Sequence, residues 1–140
     1  MEIRKLKSYT PKEFAELKRL MKELSERLDL TENALTQVLE DENSHLYVLL
    51  DKEQIIGCAS LCLFHSPTGR KASIEEVVVL SAYRGRQLGR QLVEHLLEEA
   101  RKLSPIELHL TSKPKRIAAN ALYQSLGFIR KETNFYYLNL

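Results

Sequence analysis

The stretch Val77-Val78-Val79-Leu80-Ser81-Ala82-Tyr83-Arg84-Gly85-Arg86-Gln87-Leu88-Gly89-Arg90 decides how this 140-residue chain folds. Its apolar, β-branched opening reads as the end of a buried strand. Beyond it, Leu88, Leu92, Leu96, Ala100 and Leu103 recur at helical spacing and define one apolar helix face. The loop between carries two of the glycines and, with Arg90, three arginines. A strand that runs through a basic, glycine-containing loop into a helix N-terminus is suited to holding phosphate. The first helical turn has N–H groups without intrahelical partners and a partial positive charge. Glycine lets phosphates approach the backbone with no Cβ in the way.

The order of residues excludes two common phosphate loops. No Gly-Lys-Ser/Thr follows, so this is not a P-loop, and the glycine spacing is not that of a dinucleotide fold. Arg84-x-x-Gln87-x-Gly89 instead resembles the pyrophosphate loop of the GNAT superfamily of acetyl-CoA-dependent N-acetyltransferases, Arg/Gln-x-x-Gly-x-Gly/Ala. Gln87 departs from that pattern, standing where the superfamily has glycine. The departure adds a side chain near the expected phosphate path, which is tolerable if Gln87 keeps helical backbone angles and points outward. A solvated basic strand–helix connection is the competing reading of the loop alone.

A second block, Ala118-Ala119-Asn120-Ala121-Leu122-Tyr123-Gln124-Ser125-Leu126-Gly127-Phe128, resembles the superfamily's late Asn-x-x-Ala/Leu-Tyr-x-x-x-Gly-Phe segment. The resemblance covers Lys71 to Arg130 and extends to Asn134–Leu140. Over the first seventy residues it holds only as topology.

Composition places the chain among ordinary soluble domains. The length suits a single domain spanning 1–140 with one core. A net charge of +2 gives no argument for a nucleic-acid partner. No apolar run is long enough to span a membrane, and Met-Glu-Ile-Arg-Lys is not a signal peptide, so a cytoplasmic address is the default expectation. Cys58 and Cys62, four apart on one strand face, read as reduced, structural side chains. No further ligands stand near them, and no metal is expected.

In chain order, Glu2–Leu6 reads as a first strand. Thr10-Pro11-Lys12-Glu13 has the residues of a capping box and begins a helix with Phe14, Leu17, Met21, Leu24 and Leu28 on one face. Thr31 caps a shorter helix carrying Leu35, Val38 and Leu39. The acidic residues around this pair, Asp29, Glu32, Glu40, Asp41 and Glu42, suit either a solvated surface or the attraction of a cationic amine. His45–Leu50, Ile55–Phe64 and Lys71–Leu80, joined by short polar turns, predict an antiparallel meander. A helix from Gly89 to Lys102 and a strand Ile106–Thr111 complete a right-handed crossover. A helix over Arg116–Leu126 stops at Gly127. Phe128–Thr133 and Phe135–Leu140 predict a closing hairpin. The order is β-α-α-β-β-β-α-β-α-β-β, which matches the α/β fold the resemblance implies: a mixed, mostly antiparallel sheet of about seven strands flanked by about four helices.

The reaction implied by the resemblance is attack of a neutral primary amine of a small molecule or peptide on the thioester of acetyl-CoA, the co-substrate, in a ternary complex. By resemblance, the main chain of Val77, Val78 and Val79 pairs with the pantetheine arm, which requires the strands at Val77 and Leu108 to splay apart. The N–H groups of Arg86, Gln87, Leu88, Gly89 and Arg90 cradle the pyrophosphate, with Arg84 and Gly85 shaping the loop. Arg84, Arg86, Arg90, Lys113, Lys115 and Arg116 are candidates for the other phosphates.

An alkylammonium with a pKa of about 10.4 is neutral only about 0.04% of the time at pH 7, a handicap of roughly 4.6 kcal/mol. A carboxylate or a water it holds relieves that handicap. Glu75 and Glu76 lie on the strand entering the loop, where the family often supplies such a group. Alternation places them on opposite faces, and Glu76 is the favoured base. An ion pair with Lys or Arg explains either residue equally well. His109, on the neighbouring strand, is a further acceptor-side candidate, although a half-buried structural histidine is the commoner finding. Tyr123 is the candidate acid for the leaving thiolate, and Asn120, three residues earlier on the same helix face, the candidate hydrogen-bond partner for the cofactor's amides. A different class of function on the same fold is a non-catalytic acyl-CoA-binding or regulatory module. A nucleotide- or RNA-binding domain using the arginine loop is a third reading, against which the low net charge weighs. The final Phe135-Tyr136-Tyr137 segment suits a core or the interface of a homodimer.

Overall fold

The computed structural model describes all 140 residues and divides them into two units, Met1–Leu110 and Thr111–Leu140. The first is built on strands β1 (Glu2–Lys5), β2 (Ser44–Asp51), β3 (Gln54–Ser66), β4 (Gly69–Val79) and β5 (Glu107–His109). They form one sheet in the order β1-β2-β3-β4-β5, antiparallel throughout except for the parallel β4–β5 pair. The predicted meander is therefore present, and the β4-to-β5 crossover carries the long amphipathic helix. Lys52 and Glu53, which link β2 to β3, both have positive φ, as a two-residue hairpin turn of matching twist requires.

Helix α1 (Pro11–Leu24) begins as its sequence dictates. Thr10 Oγ1 accepts from the Glu13 N–H at 3.1 Å, and Glu13 Oε1 accepts from the Thr10 N–H at 2.9 Å. The other Glu13 oxygen, Oε2, receives Arg4 Nη2 at 2.7 Å, tying the helix start to β1. Partial burial works against the charge on Glu13, but the Thr10 N–H and the Arg4 guanidinium outweigh it and hold the carboxyl below its ordinary value. The helix ends at Leu24, four residues short of the expected Leu28, because Ser25 turns to extended backbone and Leu28 is left exposed.

Thr31 caps α2 (Glu32–Glu40) through its hydroxyl, and α3 spans Leu88–Arg101. The buried residues of α3 are Leu88, Leu92, Val93, Leu96 and Ala100, the predicted stripe widened by Val93. Along β2, Leu46–Leu50 are buried without alternation, and along β3, Ile55–Ala59 likewise, so these strands are covered on both faces. Gly57 is required at the β3–α3 contact: a Cβ there would stand 3.1 Å from the Val78 carbonyl oxygen and 3.3 Å from Leu92 Cδ1.

The second unit contains α4 (Ile117–Ser125), which closes in a Schellman turn. Gly127, at φ 99°, sends its N–H to Gln124 O, and the Phe128 N–H reaches Tyr123 O at 3.0 Å. The predicted hairpin Phe128–Thr133/Phe135–Leu140 is not formed, and residues 128–140 belong to no strand. The sheet thus has five strands where about seven were expected, and the element order holds only as far as α4.

No helix is long and apolar enough to cross a membrane.

Candidate functional site

Strand β5 pairs with β4 only at Lys71, Ala72 and Ser73. From Ile74 onward β4 keeps β3 on one side and pairs with no strand on the other; Leu108 itself pairs with Ala72, so the strands do not part at Leu108, and their pairing ends at Ser73 and His109. The Leu80 N–H points to β3, where it bonds Ile56 O at 2.9 Å. Successive backbone groups alternate sides, so the N–H and C=O of Val79 face the open edge. Arg84 Nε donates to that Val79 carbonyl at 3.2 Å.

A bulge interrupts β4 just before this edge. The pairs Ser60–Glu75 and Cys58–Val78 leave one extra residue on β4, and Glu76 sits at φ 45°. Its displaced carbonyl is met by the Cys58 thiol at 3.7 Å. The bulge also breaks the alternation expected of Glu75 and Glu76. Both are exposed, where a regular strand would have turned them to opposite faces. The surrounding protein desolvates the Glu76 carboxyl and the Glu75 charge adds to the effect, so its pKa is raised. Cys62 on β3 feels both carboxylates, which add to burial in raising its thiol pKa. Cys58 is fully enclosed and is pushed up, chiefly by burial, to about 12. Both cysteines are free thiols.

Past Val79 the chain takes a 3-10 turn, Ser81–Tyr83, and then the loop Arg84–Gln87. Side chains from distant positions brace it. Tyr83 Oη donates to Asp51 Oδ2 at 2.9 Å, and Glu23 of α1 accepts the Ser81 hydroxyl at 3.2 Å and faces Arg84 Nη2 at 3.5 Å. The Asp51 hydrogen bond raises the Tyr83 pKa. Arg86 stacks over the Tyr83 ring at 5.2 Å, and Arg90 pairs with Glu94 at 3.5 Å. Each arginine of the loop therefore has a protein partner. Arg84 in particular joins the strand end to α1. Tyr83, Asp51 and Glu23 were missed from the sequence. Tyr83 adjoins the motif, but the other two are remote in sequence and carried no local signal.

Gln87 does not keep helical angles. It caps α3 in the left-handed region, φ 63° and ψ 21°, with its exposed side chain making no cap hydrogen bond. Gly85, at φ 82°, makes the preceding reversal. The backbone therefore takes the path that a glycine at position 87 would favour, with glutamine bearing the strain. The first intrahelical bond is Gln91 N–H to Gln87 O, so the N–H groups of Leu88 and Gly89 precede the helical ladder. A Cβ on Gly89 would meet nothing within 4 Å.

In the second unit, α4 carries Asn120 and Tyr123. Asn120 Nδ2 donates to the carbonyls of Lys113, at 2.9 Å, and Arg116, at 2.8 Å, so its amide organises the loop ahead of its own helix. Tyr123 is half-buried and meets Phe128 edge-on at 6.0 Å. Burial raises its pKa, and the Arg116 charge opposes this only in part, so the phenol keeps its proton at neutral pH. Lys113, Lys115 and Arg116 are exposed. His109, on β5, is engaged by Glu107 Oε1 at 2.8 Å.

The chain is similar to known proteins in sequence and in fold. The model of the acetyltransferase (GNAT) family matches residues 8–128. The chain belongs to the GNAT family. A probable glucosamine 6-phosphate N-acetyltransferase of Drosophila melanogaster is 36% identical over 81 residues, 56% of this chain and 36% of that protein. The [ribosomal protein bS18]-alanine N-acetyltransferase of Escherichia coli K12 is 40% identical over 58 residues, 41% of this chain and 39% of its own. The chain thus spans well under half the length of these curated GNAT relatives. The solved structure of AAC(6')-Iy in complex with the bisubstrate analogue CoA-S-monomethyl-acetylneamine has the same fold, with a TM-score of 0.79 at 18% identity over 99% of this chain and 97% of that one.

Proposed function

We propose that this GNAT chain transfers the acetyl group of acetyl-CoA to a primary amine by direct attack in a ternary complex. The observation that carries the reading is the free β4 edge from Ile74 to Val79, which runs directly into the helix start at Leu88 and Gly89. Of Val77, Val78 and Val79, the backbone groups of Val77 and Val79 alternate to the open edge and are offered to the amides of a pantetheine arm while those of Val78 face β3, and the first turn of α3 offers N–H groups and dipole to the pyrophosphate. The AAC(6')-Iy complex, with its CoA-derived ligand, supports this choice of co-substrate.

Glu76 takes the ammonium proton, directly or through water, with Glu75 keeping its carboxyl basic. The freed amine nitrogen bonds to the thioester carbon, the C–S bond breaks, the thiolate receives the proton of Tyr123, and the proton that the new amide nitrogen sheds restores the phenol. The acceptors named for the two curated relatives, an amino-sugar phosphate and a protein α-amine, are the first two classes to try.

The test is calorimetric titration of acetyl-CoA, with ATP and NAD as controls, followed by an amine panel read by thiol release. Gly89→Glu meets no steric obstacle to folding and puts a carboxylate beside the phosphates. It is expected to abolish binding. Tyr123→Phe is expected to keep affinity and to lose at least about ten-fold in turnover. Retained affinity in the folded Gly89→Glu variant would remove the loop as the phosphate site. Unchanged turnover would remove Tyr123 as the acid.

A further inference from the structure

The three arginines of the loop are not equivalent. Arg84 faces Glu23 at 3.5 Å and donates to the Val79 carbonyl, and Arg90 pairs with Glu94 at 3.5 Å. Arg86 is exposed and forms no ion pair; its guanidinium lies over the Tyr83 ring, 5.2 Å from the centroid. A cation held on an aromatic face keeps its charge for an anion, whereas a carboxylate partner cancels much of it. The residues on either side, Gly85 at φ 82° and Gln87 at φ 63°, are both left-handed and fix the backbone that presents Arg86.

The ring under Arg86 is itself held. Tyr83 is half-buried, and its Oη donates to Asp51 Oδ2 at 2.9 Å. Asp51 ends β2 and pairs with Gln54 of β3, so the central sheet anchors the phenol from 32 positions away in sequence. A phenol that donates to a carboxylate also has a more electron-rich ring, which attracts the guanidinium more strongly. Asp51, Tyr83 and Arg86 all lie in the unit Met1–Leu110.

We propose that Asp51 is a positioning residue for co-substrate binding: through Tyr83 it holds the Arg86 guanidinium in place for a phosphate group of acetyl-CoA. The assignment rests on the acetyl-CoA reading of the loop and adds to it a residue that touches no ligand. An arginine free in solvent gives up rotamer freedom when it binds an anion, and one already held on a fixed ring gives up less.

The test is calorimetric titration of acetyl-CoA into the parent and into folded variants, with ATP and NAD as controls. Arg86→Gln is expected to weaken binding about ten-fold and Asp51→Ala about five-fold. Tyr83→Phe keeps the ring, leaves β2 untouched and is expected to match Asp51→Ala. Asp51→Asn retains an oxygen that accepts from the phenol and is expected to stay within about two-fold of the parent. In the double variant Asp51→Ala/Arg86→Gln the losses are expected not to multiply, and binding equals that of Arg86→Gln alone. Asp51→Ala or Tyr83→Phe binding as tightly as the parent overturns the proposal. So do losses that multiply in the double variant, because Asp51 then acts through the fold at large and not through Arg86. Asp51→Asn as weak as Asp51→Ala overturns it too. These three results leave the acetyl-CoA reading standing. A parent that binds acetyl-CoA no better than ATP or NAD removes that reading and this proposal with it.

Discussion

Gln87→Gly is expected to stabilise this protein although it removes a side chain at the edge of the candidate site. Gln87 stands at φ 63°, ψ 21°, with an exposed side chain that makes no cap hydrogen bond, so its deletion forfeits little packing. An L-residue in that region bears about 1–2 kcal/mol of strain, which glycine does not. Against this, glycine gives up about 0.5–1 kcal/mol more backbone entropy on folding. The net is roughly 0–1.5 kcal/mol in favour of glycine. At about 2–4 °C per kcal/mol for a domain of this size, the melting temperature rises by up to about 6 °C. Urea denaturation at equilibrium measures the change as a shifted midpoint with an unchanged slope. Gln87→Val is the control: a β-branched residue is worse suited to positive φ than glutamine, and it is expected to destabilise by about 1 kcal/mol or more. A glycine variant less stable than the parent by about 1 kcal/mol, or a valine variant equal to it, would refute the left-handed cap at position 87. Acetyl-CoA titration of the same variants asks a separate question. Affinity is expected to hold or rise in Gln87→Gly, and a fall would mean that the glutamine itself touches the ligand.

The upward shift of the Glu76 pKa, from desolvation and the Glu75 charge, predicts an acid limb in the pH profile of kcat/KM displaced upward from that of an unperturbed glutamate, because a base works only when ionised and activity falls as pH drops through its pKa. Glu76→Gln should remove that limb and cost about 10²–10⁴-fold in rate. The same shift means that ionising Glu76 weakens the fold as pH rises from the unfolded carboxyl value to the folded one, so urea midpoints of Glu76→Gln should match or exceed the parent's at neutral pH. Glu13 has the opposite sign. Its pKa is depressed from 4.5, so its contribution is complete above that value and is lost as pH falls through the folded pKa. Glu13→Gln is expected to cost about 1 kcal/mol at pH 7, with the gap narrowing in acid, as measured by urea midpoints across pH. Gly57→Ala is expected to cost about 1–3 kcal/mol by the same assay, because its Cβ would press on the backbone oxygen of Val78 at 3.1 Å.

The features legible in the sequence are those that a few neighbouring residues decide. The capping box of Thr10 and Glu13, the stripe from Leu88 to Ala100 and the stop at Gly127 depend on contacts within about one helical turn, so spacing alone reports them. The loop could likewise be located from its arginines and glycines. Its backbone path could not: helical angles at Gln87 were only the condition under which its side chain would be tolerated, and the folded loop, braced by Tyr83 on Asp51 and by Arg84 on Val79 and Glu23, holds it left-handed. Alternation likewise assigned Glu75 and Glu76 to opposite faces until the register between β3 and β4 inserted a bulge at Glu76.

The end of the β4–β5 pairing at Ser73 and the missing strand at 135–140 have the same origin. An apolar strand pattern records what a segment needs, which is neighbours in the ladder and cover on its faces. Which strand supplies the ladder, where it stops, and whether any strand of the same chain supplies it at all depend on long-range pairing. The local sequence therefore determined the helices, their caps and the position of the glycine-containing arginine loop, because those energies are short-ranged. The open edge of β4 and the bulge at Glu76 were decided only by the tertiary structure, because backbone hydrogen bonds between strands are indifferent to side-chain identity and are chosen by the packing of the whole.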